Sequence, residues 1–226
     1  VSLKIYDTLT QGTDEWLEAR RGIVTASVVG KLITTKMLKP AHNDTSSGLT
    51  MSLIAERVTG HVDPVFVSND MLRGTLEEPI ARAAYAAHTG VEVTQVGFMT
   101  EDSLGYTLGY SPDGLVGTEG LIEIKSRRQK KHLQTILEDQ VPPENMAQIQ
   151  MGLLVSGRDW CDYVSFCGGM PLYIKRVYPA SKWGDAILQA VEEFEETAAK
   201  CIETYTQRTS GMPVMERTTF DEELTF

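Results

Sequence analysis

Two charged residues sit inside a five-residue run, Leu121-Ile122-Glu123-Ile124-Lys125, that otherwise reads as a buried β-strand. Side chains alternate faces along a strand, so Glu123 and Lys125 share one face while Ile124 points to the other, into a core. Taking either charge out of water is costly unless it finds a partner. The run therefore calls for a fold that encloses this strand yet opens its charged face onto something that binds charge. Just upstream, Ser111-Pro112-Asp113-Gly114 carries a second carboxylate. A turn over residues 114–120 is expected to join a strand at 106–110 to the strand at 121–125, a hairpin that folds Asp113 back beside Glu123.

Two carboxylates held together repel one another and favour a divalent cation between them. Oxygen-only ligation with open positions suits Mg²⁺, with Mn²⁺ as substitute. Asp113 and Glu123 are the expected ligands, with the backbone carbonyl of Ile124 as a further one. Lys125 is then placed to orient or deprotonate an attacking water and to stabilise charge on a phosphodiester. The competing reading is an exposed hairpin with a Pro-Asp-Gly turn and a solvated Glu/Lys face.

The rest of the chain supplies helices around a sheet. A short helix is expected at 13–20, with Trp16 and Leu17 buried, then Thr25 as N-cap of a helix at 26–33. Residues 34–48 are polar and read as a mobile loop. Helices follow at 51–59 and 69–88, the second kinked at Pro79 and stopped by Gly90. Strands are expected at 91–96, 160–167 and 171–178, and helices at 144–155 and 185–205. An acidic tail covers about 207–226. The pattern is α/β: a central mixed, mostly antiparallel sheet flanked by helices, in one domain spanning residues 1–226.

The net charge of −10 argues against a protein that coats DNA broadly. Charge acts locally, however. Residues 185–226 hold ten acidic side chains against three basic ones, so that segment carries −7 and the remainder only about −3. Lys125, Arg127, Arg128, Lys130, Lys131 and His132 crowd one stretch, which suits a narrow phosphate-tracking surface. No stretch has the length and apolarity of a membrane span, and no signal-peptide pattern opens the sequence. The three cysteines, Cys161, Cys167 and Cys201, read as free thiols, which fits the cytoplasm. No Walker-type loop appears, so no nucleotide cofactor is expected.

Pro112-Asp113 followed by Glu123-Ile124-Lys125 resembles the PD-(D/E)-x-K nuclease signature. Three further segments narrow the resemblance to the phage lambda exonuclease family of YqaJ-like viral recombinases, with its restriction-endonuclease-like core. They are Arg20-Arg21-Gly22-Ile23-Val24-Thr25-Ala26-Ser27, Gly74-Thr75-Leu76-Glu77-Glu78-Pro79-Ile80-Ala81-Arg82 and Met146-Ala147-Gln148-Ile149-Gln150-Met151. The resemblance implies that Arg20, Thr25 and Ser27 hold a 5′-phosphate; on physical grounds alone they surround a helix start, where an anion is favoured. It implies that Glu78 is a second-metal ligand or an orienter of the site, with Glu77 as the rival assignment. The motif favours Gln148 as the catalytic glutamine, while a helical wheel makes Gln150 the inward one; Gln150, Arg127, Arg128, Lys130 and Lys131 are then DNA contacts.

The family implies a Mg²⁺-dependent, ATP-independent exonuclease that digests duplex DNA from 5′ ends, in the cytoplasm of a bacterial host. It also implies a ring-shaped homotrimer and a phage single-strand-annealing partner. Arg73, where the lambda enzyme has tryptophan, departs from the pattern, as do the loop after Ser27 and the acidic tail. A restriction-type endonuclease, a junction resolvase and a non-catalytic DNA-binding protein are the alternatives.

Overall fold

The computed structural model describes residues 3–64, 67–103 and 105–217. In chain order its elements are β1 (Lys4–Tyr6), α1 (Asp14–Arg20), β2 (Val24–Thr25), α2 (Ala26–Val29), a 3-10 turn (Gly30–Leu32), β3 (Ile33–Thr34), β4 (Lys39–Pro40), α3 (Asp44–Thr59) and α4 (Asn69–Thr89). There follow β5 (Val93–Thr94), β6 (Phe98–Glu101), β7 (Leu108–Tyr110), β8 (Gly114–Val116), β9 (Gly120–Ser126), α5 (Gln129–Glu138), α6 (Pro143–Ser156), β10 (Trp160–Phe166), β11 (Tyr173–Val177) and α7 (Ser181–Thr209).

A five-stranded sheet runs in the order β11-β10-β9-β8-β5, and a four-stranded one in the order β1-β6-β7-β2. The expected hairpin is thereby corrected. The strand at Leu108–Tyr110 pairs with β6 and β2 in the smaller sheet, and the partner of β9 is β8, in register Gly114↔Ile122. Pro112 accounts for the change: lacking an N–H, it cannot continue a ladder, and the chain crosses from one sheet to the other over Ser111–Asp113. Asp113 thus sits on the crossover, one residue before the β8–β9 pairing begins. The sheets are mixed: β9–β10 and β2–β7 are parallel, the other pairs antiparallel.

Alternation along β9 divides the core. Ile122 and Ile124 pack with Ala81 and Tyr85 of α4, Val116 and Val164. Leu121, on the opposite face, joins Tyr163, Cys161, Ile149 and Leu153 of α6, and Ile187 and Val191 of α7. Glu123 points into that second, larger core. Among the described residues no helix is long and apolar enough to cross a membrane.

Several local readings change. The helix expected at 51–59 begins at Asp44, because Asn43 and Ser46 form a reciprocal capping box; the polar cluster that reads as a loop is a helix start. The loop of 34–48 shrinks accordingly, with β4 inside it. α1 has no fully buried residue: Leu17 is exposed and Trp16 half-buried. Thr25 makes no capping hydrogen bond to α2. α4 continues through Pro79. Of the acidic tail, residues 218–226 lie outside the described residues.

α6 packs against both sheets, and Gly152 allows the close approach to the smaller one. A Cβ there would lie 2.7 Å from Tyr110 Cζ. Alanine is the better helix former by about 1 kcal/mol, but overpacking a tight contact costs about 1–3 kcal/mol. Gly152→Ala is expected to lower the melting temperature by a few degrees, at roughly 2–4 °C per kcal/mol. An unchanged or higher melting temperature would show that the Tyr110 ring gives way freely.

Candidate active site

Four segments converge at the end of β9. Glu123 is fully buried, and the Lys125 Nζ reaches to 2.6 Å from its Oε1. Among the described residues neither Glu123 oxygen receives a well-directed hydrogen bond, so the contact is one of charge. Lys125 Nζ donates to Gln148 Oε1 of α6 at 3.1 Å. Asp113 Oδ2 accepts from the Ile124 N–H at 2.6 Å. From α4, Arg82 Nε donates to the Asp113 carbonyl at 2.7 Å, and its Nη2 donates to Glu78.

The electrostatics are those of crowded carboxylates. Burial and then the Glu123 charge push Asp113 well above the usual carboxylate range. Burial also raises Glu78, with Glu123 adding to the shift against the pull of Arg82. Burial alone would lower Lys125, but Glu123 and Asp113 outweigh it and hold the ammonium. Three carboxyls therefore share the neighbourhood of Lys125 and Arg82.

A divalent cation fits this set. A strand residue's N–H and C=O face the same edge, so the Ile124 carbonyl lies on the Asp113 side of β9, beyond the last β8 pairing. Among the described residues no group of three or more His, Cys, Asp or Glu side chains is gathered to hold a metal. The protein's share would be two carboxylates and a main-chain oxygen, with water or substrate completing the shell, which is the habit of Mg²⁺. The Glu123 oxygens, which lack directed hydrogen bonds among the described residues, and the raised Asp113 both gain from such a charge.

Without metal, the same crowding costs stability, and the sign follows from the shift. A carboxyl whose folded pKa is raised adds no penalty below its unfolded value near 3.9; the penalty grows as pH rises towards the folded value. Asp113→Asn keeps an acceptor for the Ile124 N–H and removes the charge. It is expected to stabilise the protein at neutral pH by about 1–2 kcal/mol, with the gain vanishing in acid. Thermal melts in EDTA at pH 7 and pH 4 check this; a variant less stable than the parent at pH 7 would contradict it.

The resemblance assigned Arg20, Thr25 and Ser27 to one site, and the structure brings them together. Arg20 Nη2 donates to Thr25 Oγ1 at 3.3 Å and to Ser27 Oγ at 3.1 Å. Its Nη1 donates to Ser111 Oγ at 3.0 Å, and the guanidinium stacks 3.9 Å from the Trp16 ring centroid. Trp16 Nε1 also donates to Ser111 Oγ, at 3.0 Å. Burial lowers Arg20 to about 10, which leaves it charged at neutral pH. Ser111 and Trp16 were missed as site residues; the available signal was that Ser111 directly precedes Pro112-Asp113 on the crossover.

Other assignments separate cleanly. Glu78 faces Arg82 and the carboxylates, whereas Glu77 accepts from Ser126 Oγ. Gln148 reaches Lys125. Gln150 is not available to DNA: it is buried, donates to the Tyr178 carbonyl at 2.9 Å and accepts from the Ala180 N–H at 2.8 Å. It ties down the link between β11 and α7, the partner that a glutamine in an apolar stripe requires. From residue 129 on, the basic run is helical, as α5. His132 is buried between Ser165 Oγ and the Pro171 carbonyl, at 2.8 and 2.9 Å. Lys130 is exposed, Arg127 donates to Asn145 Oδ1 at 2.6 Å, Arg128 contacts Asp70, and Lys131 lies 2.9 Å from Glu144. Arg127, Arg128 and Lys131 line a groove of about 560 Å³ that also exposes Asp113, Lys125 and Glu78.

The model of the YqaJ-like viral recombinase domain matches residues 15–159, well over half of the chain. The chain belongs to this family. The matched segment runs from α1 to the turn before β10 and includes every residue of the cluster around Lys125. Among solved structures, the alkaline exonuclease LHK-Exo from Laribacter hongkongensis superposes on this YqaJ-like chain with a TM-score of 0.79 at 33% identity, over 89% of this chain and 100% of that one. The same enzyme in complex with dAMP gives equal values. A phage-related exonuclease from Haemophilus somnus 129PT shares the fold at a TM-score of 0.62 and 13% identity, over 81% of this chain and 96% of that one. Among curated proteins none matches.

Proposed function

We propose that this YqaJ-like chain is a Mg²⁺-dependent, ATP-independent exonuclease. It digests one strand of duplex DNA 5′-to-3′ and leaves a 3′ single-stranded overhang for recombination by single-strand annealing. The observation that carries the reading is the pairing of two sites through one crossover. Ser111 touches Arg20 in a cluster suited to an anion, and Asp113, two residues on, stands in the carboxylate cluster with Lys125.

The residue roles follow from what each group touches. Asp113, Glu123 and the Ile124 carbonyl would hold Mg²⁺, or Mn²⁺ in its place, with Glu78 as a further ligand or orienter. When bound, the cation supplies Lewis acidity at the scissile phosphate and makes water a better nucleophile. Lys125, kept as an ammonium by its carboxylate neighbours, orients the attacking water and stabilises charge growing on the phosphate oxygens. Gln148 accepts from Lys125 and so fixes its direction. Arg20, with the hydroxyls of Thr25, Ser27 and Ser111, receives the terminal 5′-phosphate and sets which bond lies over the carboxylates. Arg127, Arg128, Lys130 and Lys131 track the backbone. The dAMP complex of LHK-Exo supports the reading, since a deoxynucleoside monophosphate is what stepwise hydrolysis of DNA releases.

We further propose a homotrimer that encircles duplex DNA, a phage single-strand-annealing protein as partner, and action in the cytoplasm of a bacterial host. The test is a linear duplex carrying either a 5′-phosphate or a 5′-hydroxyl, labelled at one end or the other, digested with Mg²⁺. Early loss of a 5′ label as mononucleotide, faster from phosphorylated ends, is expected. Early loss of the 3′ label, or release of internal fragments, would overturn the polarity or the exonuclease reading respectively.

A further inference from the structure

At the rim of the groove, past Lys125, three guanidinium nitrogens converge on a single carboxylate oxygen. Asp70 Oδ1 lies 2.7 Å from Arg73 Nη1, 2.9 Å from Arg128 Nε and 2.8 Å from Arg128 Nη2. Asp70 and Arg73 belong to the first turns of α4; Arg128 is the residue that precedes α5. All three line the groove that holds Asp113 and Lys125. The contact therefore ties one wall of the groove to the other.

We propose that Arg73 and Arg128 form a clamp for a backbone phosphate of the DNA strand lying in the groove, and that Asp70 occupies this clamp in the free protein in place of the phosphate. The inference rests on the nuclease reading and names a substrate contact of the same groove. Guanidinium forks take carboxylate and phosphate oxygens in the same geometry, so a seat built for one accepts the other. Arg73 is held independently of Asp70, because its Nε donates to Ser126 Oγ at 3.0 Å, and Ser126 is the residue after Lys125 on β9. The seat thus keeps its place relative to the site when Asp70 swings away. Asp70 and Arg128 are largely exposed, with side-chain exposures of 55% and 70%, and ion pairs so exposed add little to stability.

The arrangement also explains how a chain of net charge −10 carries a basic groove. Arg128 is masked by Asp70 and Lys131 by Glu144. A polyanion exchanges these carboxylates for phosphates, while isolated anions gain little from the exchange.

The test measures binding of a 5′-phosphorylated duplex by fluorescence anisotropy in EDTA, where no cleavage intervenes, over a salt series. Asp70→Asn is expected to bind about three- to tenfold tighter than the parent at low salt, the advantage shrinking as salt rises. Arg128→Ala is expected to weaken binding and to lower the salt slope by about one. In the Arg128→Ala background, Asp70→Asn should lose most of its effect. Glu138→Gln, which removes the same charge from the exposed end of α5, is the control for general electrostatics. The proposal is overturned if Asp70→Asn binds no tighter than the parent, gains no more than Glu138→Gln, or acts additively with Arg128→Ala. Failure of the exonuclease reading has a different signature: the parent protein binds duplex in this assay but releases no nucleotide when Mg²⁺ is supplied.

Discussion

Lys125→Ala is expected to lose DNA hydrolysis by about 10²–10³-fold, the range for removing one preorganised donor to developing charge, and to lose stability at the same time. Glu123 is fully buried and Lys125 is the cation at its oxygens, 2.6 Å away. Removing one partner of a buried pair leaves an uncompensated charge and costs about 3–5 kcal/mol. In a domain of this size that corresponds to a fall in melting temperature on the order of 10 °C. The two losses are separable. Glu123→Gln together with Lys125→Met removes both charges, so most of the melting temperature should return while hydrolysis stays absent. Melting curves and single-turnover digestion of the three variants check this. Hydrolysis within tenfold of the parent in Lys125→Ala would remove the lysine from the chemistry. A double variant as unstable as Lys125→Ala would show that the pair does not hold the strand in this way.

Arg20→Ala is expected to abolish discrimination between phosphorylated and unphosphorylated 5′ ends. The guanidinium is set among the hydroxyls of Ser111, Thr25 and Ser27 and the Trp16 ring, and among the described residues no carboxylate is in hydrogen-bonding contact with it. A half-buried cation whose hydrogen-bond partners are neutral, with Glu56 acting on it only through its charge, is incompletely compensated, and a phosphate would complete it. Hydrogen bonds to charged groups contribute about 1.5–3 kcal/mol each, so the parent should favour phosphorylated ends by at least about tenfold. In Arg20→Ala that ratio should fall to near unity, with the rate from hydroxyl ends little changed. Arg20→Lys keeps the charge but not the fork and should lie between them. If Arg20→Ala slowed both substrates equally, its role would be to support the crossover rather than to read the end.

The site was more legible in the sequence than its surroundings. Glu123 and Lys125 announce themselves because two charges on one face of an otherwise apolar strand are costly to bury without a partner, and alternation survives in any fold. α7 carries a clear apolar stripe and α6 is buried on most of its faces; the wheel correctly turned Gln150 inward, although its partners, Tyr178 and Ala180, belong to a loop that no local pattern identifies. The partner of β9 was misread because Tyr106-to-Tyr110 and Gly114-to-Val116 offer equally plausible apolar segments; only the missing N–H of Pro112 favours the second. α5 was hidden by its lysines, which are solvated at one end, while the interactions that hold the helix, His132 with Ser165 and Pro171, are long-range. The same holds for α3, where Asn43 and Ser46 look like loop residues until the capping box closes. Ser111 joins the Arg20 cluster across 91 positions of sequence, a contact set by the smaller sheet rather than by spacing.

The central claim is that the Asp113, Glu123 and Lys125 cluster hydrolyses DNA from an end. It is tested most directly by incubating one plasmid, as covalently closed circle and as linear duplex, with Mg²⁺ and either the parent protein or the Glu123→Gln/Lys125→Met variant, and measuring acid-soluble nucleotide. Release from the linear form alone, absent with the variant and in EDTA, is the predicted result. Nicking or cutting of the closed circle by the parent protein, or release that persists in the variant, would contradict the account.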